Sequence, residues 1–275
     1  MPETSLGLSV RDALLGAAAT LTEAGCETPR LDAELLLAEA LGVDRSRLVI
    51  EGQSRLSADV VERLDELIRR REAREPVAYI LGRKAFRYLT LAVDPRVLIP
   101  RPETELLVEV GLTLPPGARV LDAGTGSGAI ALALKDERPD LEVWGSDVSE
   151  EALAVARANG FRLGLEVRWL KADLLSRAPG PFDAILANLP YVASDAPLAP
   201  EIERYEPVSA LRAGADGLEV IRRLVAQARA VPVLALEIGS DQALAVRGLL
   251  DGAGFGSVDV LRDLAGHERV VVGRR

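Results

Sequence analysis

The clearest fold signal in the chain is the stretch Val120-Leu121-Asp122-Ala123-Gly124-Thr125-Gly126-Ser127-Gly128-Ala129-Ile130. A run of apolar residues predicts a buried strand, which ends near a carboxylate. Three glycines follow at alternate positions, and then a helical pattern begins. Glycine lets the chain turn tightly at this point, and it lets a ligand lie against bare backbone amides. The stretch therefore predicts a strand, a ligand-binding loop and a helix, as in a doubly wound α/β domain.

The same alternation continues through the rest of the chain from residue 116 onward. Short apolar runs alternate with helical patterns, which is typical of a parallel sheet with crossover helices. The last two runs are joined by a short link, so these strands should pair antiparallel. We predict an α/β fold with a doubly wound sheet of seven strands, the last antiparallel, at residues 118–122, 141–146, 166–170, 184–187, 231–237, 257–261 and 269–272.

The amino-terminal part of the chain has a helical texture. Apolar residues at helical spacing predict helices over residues 10–24, 31–41 and 60–71. The chain therefore divides into a helical bundle at 1–75, a linker with a β-hairpin at 76–100, and the α/β domain at 101–275. The hairpin is predicted within residues 79–93. Residues 188–215 show no clear element, and a loop that long is usually functional or disordered.

Composition excludes several classes of protein. The single cysteine and the single histidine exclude a disulfide framework and any metal site built from several thiolates or two imidazoles, so we expect no metal. The net charge is −9, and no basic stripe is present, so we expect no direct nucleic-acid binding. The chain shows no signal peptide and no long apolar run, so we expect a cytoplasmic protein without a membrane partner.

Carboxylates at the ends of the first two predicted strands indicate a nucleoside ligand. Gly124, Gly126 and Ala129 also satisfy a loose dinucleotide fingerprint, so the glycines alone do not identify the ligand. Asp122 suits a ligand with an ammonium group, such as S-adenosylmethionine, better than a pyrophosphate. Asp147 can accept hydrogen bonds from both ribose hydroxyls, a feature that nicotinamide and methionine cofactors share.

Two further loops follow the third and fourth predicted strands. Asp173 could accept a hydrogen bond from an exocyclic amine, and Leu174 could cover the face of an adenine ring. The turn Asn188-Leu189-Pro190-Tyr191 places an amide, a rigid proline and an aromatic ring at the carboxyl edge of the sheet, where ligands bind. This turn is the strongest candidate for the reacting site.

The glycine loop together with this turn resembles a class I methyltransferase that modifies a planar –NH2 nitrogen. Such enzymes carry an Asn/Asp-Pro-Pro-Tyr/Phe signature, which amino-adenine DNA methyltransferases share with the HemK/PrmC family, peptide chain release factor glutamine methyltransferases. The chain resembles the second family over nearly its whole length, including segments 75–82, 98–105, 214–218 and 236–239. One position departs from the pattern, because Leu189 stands where the family has its first proline.

The resemblance implies a reaction and a set of residues. A methyl group would pass from S-adenosylmethionine to the side-chain amide nitrogen of the glutamine in the Gly-Gly-Gln motif of release factors, modulating translation termination. Asn188, Leu189, Pro190 and Tyr191 would be catalytic, with the Asn188 side chain and the Leu189 carbonyl accepting the two amide protons. The cofactor-binding residues would be Asp122, Gly124, Thr125, Gly126, Ser127, Gly128, Asp147, Asp173, Leu174 and Asn188.

Three functions remain open from the sequence. The first is the release factor methyltransferase, in which the helical bundle would dock the protein substrate. The second is an amino-adenine methyltransferase acting on DNA or RNA, which the net charge of −9 disfavours. The third is a nucleotide-binding protein that transfers no methyl group, which Asp122 and the Asn188 turn disfavour.

Overall fold

The structure, a computed structural model, describes residues 7–275 of the chain, which form two compact units. The first unit runs to Gly82 and also takes in Ala199–Tyr205; the second comprises Arg83–Leu198 and Glu206–Arg275. The predicted boundary at 75 therefore lies seven residues too early, and the hairpin belongs to the second unit. Residues 1–6 of the predicted bundle lie outside the described residues.

The first unit is helical, as predicted. Ser9 caps the first helix by accepting a hydrogen bond from the Asp12 amide, and Gly42, in the left-handed conformation at φ 68°, ends the second. Residues 79–82 were predicted as part of the hairpin, but a short helix that ends at Gly82 occupies them. The helices are α1 (Val10–Glu23), α2 (Pro29–Leu41), α3 (Arg47–Ile50), α4 (Ala58–Glu72), α5 (Val77–Leu81) and α9 (Pro200–Tyr205).

A buried ion-pair cluster joins distant parts of the chain within the first unit. The Arg71 guanidinium lies 2.7 Å from an Asp32 oxygen and 3.3 Å from a Glu201 oxygen. Arg74 pairs with the same Glu201. Because a buried charge is costly unless it is paired, these contacts fix α9 among the helices of this unit.

The second unit contains a mixed sheet. Within the described residues its seven strands run in the order β5-β4-β3-β6-β7-β9-β8. Strand β9 pairs antiparallel with β7 and with β8, whereas the remaining neighbours pair parallel, so the predicted fold class is confirmed. The strands are β3 (Arg119–Ala123), β4 (Glu142–Asp147), β5 (Arg168–Lys171), β6 (Ala184–Ala187), β7 (Val233–Glu237), β8 (Ser257–Arg262) and β9 (Glu268–Arg274).

Each face of the sheet buries its own apolar cluster. Successive strand residues point to opposite faces, so Val120 joins one cluster and Leu121 the other. Helices α6 (Glu105–Leu112) and α7 (Ala129–Glu137) pack on the Val120 face; α10 (Glu219–Gln227) and α11 (Ala243–Gly252) pack on the Leu121 face. Within residues 7–275, no helix is both long and apolar enough to cross a membrane.

The hairpin is fastened to the glycine loop by one buried asparagine. It consists of β1 (Arg83–Phe86) and β2 (Leu89–Ala92). Asn159, on α8 (Glu150–Leu163), accepts a hydrogen bond from the Ala92 amide at 2.7 Å and donates to the Ala92 carbonyl at 3.0 Å. The same Nδ2 also donates to the Ser127 carbonyl at 3.0 Å, which holds the glycine loop in place.

Residues 188–215 contain more structure than the sequence predicts. They include α9 and a short 3-10 turn at Val208–Ala210. Where the chain returns to the second unit, the buried Glu206 accepts hydrogen bonds from the Ile99 amide at 3.1 Å and from the Arg101 guanidinium at 2.5 Å. The loop is therefore anchored at its return point.

Candidate active site

A cavity of about 430 Å³ opens at the carboxyl edge of the sheet. It lies where the strand order reverses between β3 and β6, the usual ligand site of such sheets, and its volume falls in the range of small-ligand pockets. Its walls come from the glycine loop, the segments at the ends of β4 to β6, residues 95–98 and Pro100, and Pro207, Ser209 and Ala210. The predicted residues on the wall are Gly124, Thr125, Gly126, Ser127, Asp147, Asp173, Leu174, Asn188, Leu189 and Pro190.

The glycine loop presents bare backbone to this cavity. Gly124, Gly126 and Gly128 have φ values of 79°, 55° and 84°, which L side chains rarely adopt. At Gly126 a Cβ atom would meet open space, whereas at Gly128 it would lie 3.0 Å from a Leu132 methyl carbon. Gly126 therefore leaves room for a ligand against the backbone, and Gly128 serves close packing behind the loop.

Asp122 lies behind the glycine loop and is not part of the cavity wall. The side chain is fully buried; one carboxylate oxygen accepts hydrogen bonds from the Thr125 hydroxyl at 2.5 Å and the Ala131 amide at 3.2 Å. Its other oxygen has no partner among the described residues, and burial raises the pKa of Asp122 to about 7. Asp122 is therefore not among the lining residues within 7–275, and its carboxylate holds Thr125. A direct contact between Asp122 and the ligand stays a prediction.

Asp147 ends β4 and reaches the cavity. Its carboxylate accepts hydrogen bonds from the Gly126 amide at 3.0 Å and the Ser149 amide at 2.9 Å, and burial raises its pKa. Ser149 caps α8, so Asp147 is not needed for that purpose. A carboxylate has about four acceptor positions, which leaves capacity for ligand hydroxyls.

The predicted adenine site has an ion pair at its rim. Leu174 is buried with a φ of 54°, and it lines the cavity together with Val220. Asp173 is exposed and forms an ion pair with Arg223 on α10. Arg223, which the sequence did not single out as a site residue, therefore lines the cavity beside Asp173.

The Asn188 turn follows β6 directly and places three of its four residues on the cavity wall. Asn188, Leu189 and Pro190 line the cavity, but Tyr191 is absent from the lining residues within 7–275. The Tyr191 ring packs against the apolar cluster on the Leu121 face, and its hydroxyl donates to Glu237 at 3.3 Å. Burial raises the pKa of Tyr191 above its ordinary value.

Two residues behind this turn were not predicted as site residues, although both lie in segments, 98–105 and 236–239, that the resemblance includes. Asn188 Nδ2 donates to the Thr104 hydroxyl at 2.9 Å, and that hydroxyl donates to Glu237 at 2.6 Å. Both side chains are buried, and burial raises the pKa of Glu237 to about 7. Glu237 is a carboxylate at the end of a buried strand, as Asp147 is, and that pattern could have identified it.

The backbone of the turn is also held from behind. Gln242 Nε2 donates to the Tyr191 carbonyl at 2.9 Å, and the Gly239 amide donates to Gln242 at 2.9 Å. Gly217, at φ 73°, lies so close that a Cβ atom there would be 2.1 Å from the Tyr191 carbonyl oxygen. The structure thus gives a role to two segments, 214–218 and 236–239, that the sequence flagged only by resemblance.

Substitution of Leu189 by proline tests how the turn tolerates the departure from the family pattern. The Leu189 side chain is buried and packs against Gly124, where an added Cβ would lie 3.0 Å from a Leu189 methyl carbon. We expect Leu189→Pro to lower the free energy of unfolding by about 1 to 2 kcal/mol through lost packing. The methyl transfer that the resemblance implies should survive, because residue 189 keeps its main-chain carbonyl.

Urea unfolding and transfer rates of Leu189→Pro and Leu189→Ala check this expectation. The alanine variant also loses packing but keeps the backbone freedom of the wild-type turn. A folded proline variant without activity, beside an active alanine variant, would show that this turn cannot take the proline conformation.

Two families match consecutive parts of the chain. Residues 12–82 match the PrmC N-terminal domain, and residues 102–202 match the methyltransferase small domain. The first match ends at Gly82, where the first compact unit also ends its continuous stretch. The family boundary and the structural boundary therefore coincide.

The chain is similar to curated proteins over most of its length. It is 50% identical over 254 residues to the release factor glutamine methyltransferase of Pseudomonas aeruginosa, covering 89% of this chain and 92% of that protein. It is 41% identical over 277 residues to the Deinococcus radiodurans protein of the same name, covering 98% and 99%.

The fold is similar to solved methyltransferases. The 16S rRNA methyltransferase RsmC of Thermus thermophilus, solved with AdoMet and guanosine, superimposes with a TM-score of 0.51 at 19% identity, covering 70% of this chain and 49% of that one. At this identity the likeness shows the fold alone.

Proposed function

This chain belongs to the family of release factor glutamine methyltransferases, and on that premise we propose how its residues carry out the reaction. The enzyme uses S-adenosylmethionine to methylate the side-chain amide nitrogen of a release factor glutamine. We assign the target to the glutamine of a Gly-Gly-Gln motif. Release factors act on terminating ribosomes, so we place the enzyme in the cytoplasm.

The residues of the cavity suit S-adenosylmethionine. Open backbone at Gly126 and the spare acceptor capacity of Asp147 fit the nucleoside and its ribose hydroxyls. Leu174 and Asp173 fit the adenine ring and its amine, and Thr125, held by Asp122, fixes the loop. When bound, S-adenosylmethionine supplies an electrophilic methyl group.

The chemical problem is the low nucleophilicity of an amide nitrogen, whose lone pair is delocalised. Asn188 Oδ1 and the Leu189 carbonyl accept the two amide protons of the glutamine and hold its nitrogen in the position that receives the methyl group. Positioning of this kind supplies up to about 7 to 11 kcal/mol in ideal cases. As the new N–C bond forms, the bond between that methyl group and sulfur breaks, S-adenosylhomocysteine is the leaving group, and the nitrogen gives up one proton to water, so no strong base is required.

One observation carries this proposal. Asn188 lies on the cavity wall, and its Nδ2 donates a hydrogen bond to Thr104, so we assign its Oδ1 to accept from an incoming donor. Incubation with methyl-labelled S-adenosylmethionine tests the substrate class. Label should enter folded release factor and not duplex DNA, since the net charge of −9 disfavours a polyanion. Robust labelling of DNA would overturn the proposal.

We assign docking of the release factor to the first unit. One glutamine must be selected among all those in the cell, which requires surface outside the cavity. Residues 1–75 carry 10 Arg and 15 Asp or Glu, a net charge of −5, which suits a protein partner better than a nucleic acid. Val49 and Ile50, on the short α3, are 87% and 81% exposed, a paired apolar contact of the kind found in interfaces.

Double substitution Val49→Ser and Ile50→Ser tests this assignment without removing any element. Deleting residues 1–75 would leave Glu201 without its arginine partners, so point substitutions are the cleaner probe. We expect the KM for intact release factor to rise about 5- to 30-fold, with the KM for a short Gly-Gly-Gln peptide unchanged.

The matched control is Phe161→Ser, because Phe161 is 92% exposed on α8 of the second unit. It should leave both KM values at wild-type levels. Equal changes in the two KM values of the double variant would remove α3 from the docking surface.

A further inference from the structure

We infer that Thr104, held by Glu237, is a positioning residue that fixes the orientation of the Asn188 amide so that its oxygen faces the substrate. The inference rests on the proposed role of Asn188. It adds how the enzyme keeps the oxygen of this side-chain amide, and not its nitrogen, toward the substrate. An asparagine side chain turned by 180° would present a donor where an acceptor is needed.

The geometry is a continuous chain of hydrogen bonds from the cavity wall to a buried carboxylate. Asn188 Nδ2 donates to Thr104 Oγ1 at 2.9 Å, and Thr104 Oγ1 donates to Glu237 Oε2 at 2.6 Å. Thr104 belongs to the 3-10 turn Pro102–Thr104 just before α6, and Glu237 is the last residue of β7. Two separate elements therefore meet behind the catalytic turn.

The direction of the hydrogen bonds follows from proton counting in the ionised form of Glu237, which predominates above its pKa of about 7. A threonine hydroxyl has a single proton, and an ionised carboxylate accepts only. When the Thr104 hydroxyl donates its proton to the hydrogen bond with Glu237, its oxygen can only accept, so the Asn188 –NH2 group must face it. The reverse orientation of Asn188 would place two acceptor oxygens against each other. Asn188 Oδ1 is consequently directed away from Thr104.

Glu237 is well suited to this task because it is linked to both ends of the turn, to Tyr191 directly and to Asn188 through Thr104. Its second oxygen, Oε1, accepts from the Tyr191 hydroxyl at 3.3 Å. Glu237 is 1% exposed and Thr104 is 3% exposed, so water does not compete for either group. A carboxylate buried this deeply destabilises the fold unless its partners compensate, and such departures concentrate at functional sites.

Substitution of Thr104 by valine removes the hydroxyl with almost no change of shape. We expect kcat for release factor methylation to fall about 10- to 100-fold, with the KM for release factor and the Kd for S-adenosylmethionine within about threefold of wild type. Thr104→Ser keeps the hydroxyl and should restore kcat to within about threefold of wild type. A purely structural role would lower stability without this split between kcat and KM.

Glu237→Gln is the second variant, because it keeps the shape of the side chain. Glutamine has only one acceptor oxygen, whereas the hydroxyls of Thr104 and Tyr191 each donate to a separate oxygen of Glu237. Its kcat should also fall with KM unchanged. Wild-type kcat in folded Thr104→Val would overturn the inference, as would equally impaired valine and serine variants. If Asn188→Ala is slow while Thr104→Val is not, only the positioning role is wrong; if Asn188→Ala also retains full activity, the proposed catalytic role fails with it.

Discussion

Asn188→Ala is expected to slow methyl transfer by about 100- to 1,000-fold, the usual loss when one polarising contact is removed from a reacting group. The substitution deletes the acceptor that holds one glutamine amide proton, and it deletes the donor that engages Thr104 at 2.9 Å. Affinity for S-adenosylmethionine should change only a few-fold, because we assign the Asn188 oxygen mainly to the protein substrate. Single-turnover rates at saturating release factor and calorimetric Kd values give the two quantities.

Ser209→Ala is the matched control for this variant. Ser209 is another polar side chain on the cavity wall, and we assign it no role in the reaction. Its truncation should leave the rate near that of the wild type. Activity near wild type in a folded Asn188→Ala protein would contradict the mechanism, and a large loss of S-adenosylmethionine affinity would move Asn188 to the cofactor site.

Asp147→Ala is expected to raise the Kd for S-adenosylmethionine and for S-adenosylhomocysteine by about 10- to 150-fold. A hydrogen bond to a charged group contributes about 1.5 to 3 kcal/mol to binding. Loss of one such hydrogen bond raises Kd by about 10- to 150-fold. The carboxylate also accepts from the Gly126 amide at 3.0 Å, so the variant loosens the glycine loop as well. Titration calorimetry with the product measures affinity without turnover.

Asp173→Ala provides a comparison carboxylate at the same cavity. Asp173 is exposed and forms an ion pair with Arg223, so water and Arg223 both compete for its hydrogen bonds. Loss of the Asp173 carboxylate should therefore weaken S-adenosylmethionine binding less than loss of the Asp147 carboxylate. Unchanged affinity in Asp147→Ala would remove Asp147 from the ribose site. A larger loss at Asp173 than at Asp147 would reverse the assignment of the two carboxylates.

Local pattern was sufficient to find most of the cavity wall. Parallel strands end at a common edge, so loops that follow β3, β4, β5 and β6 converge whatever the details of their packing. Gly126, Asp147 and Asn188 were all located from this rule and all line the cavity. Asp122 shows its limit, because a position at a strand end does not tell on which side of the loop the carboxylate lies.

Contacts across long sequence separations could not be predicted in the same way. Thr104 meets Glu237 across 133 residues, and its role depends on the packing of the turn before α6. Helix α9 is six residues long, which is too short for a clear apolar period. Its Glu201 contacts Arg71 across 130 residues of sequence. The position of Glu237 at the end of a strand is a local signal for that residue, but neither contact leaves a signal that identifies its partner.

Tandem mass spectrometry of release factor after incubation with enzyme and methyl-labelled S-adenosylmethionine tests the central claim most directly. The claim is that the cavity wall at Asn188 and Leu189 presents two acceptors to a glutamine –NH2 group. The predicted result is one labelled methyl group on the side-chain nitrogen of the glutamine in Gly-Gly-Gln, incorporated about 100- to 1,000-fold more slowly with Asn188→Ala. Label on a different residue type, or on that glutamine at the wild-type rate with Asn188→Ala, would contradict it.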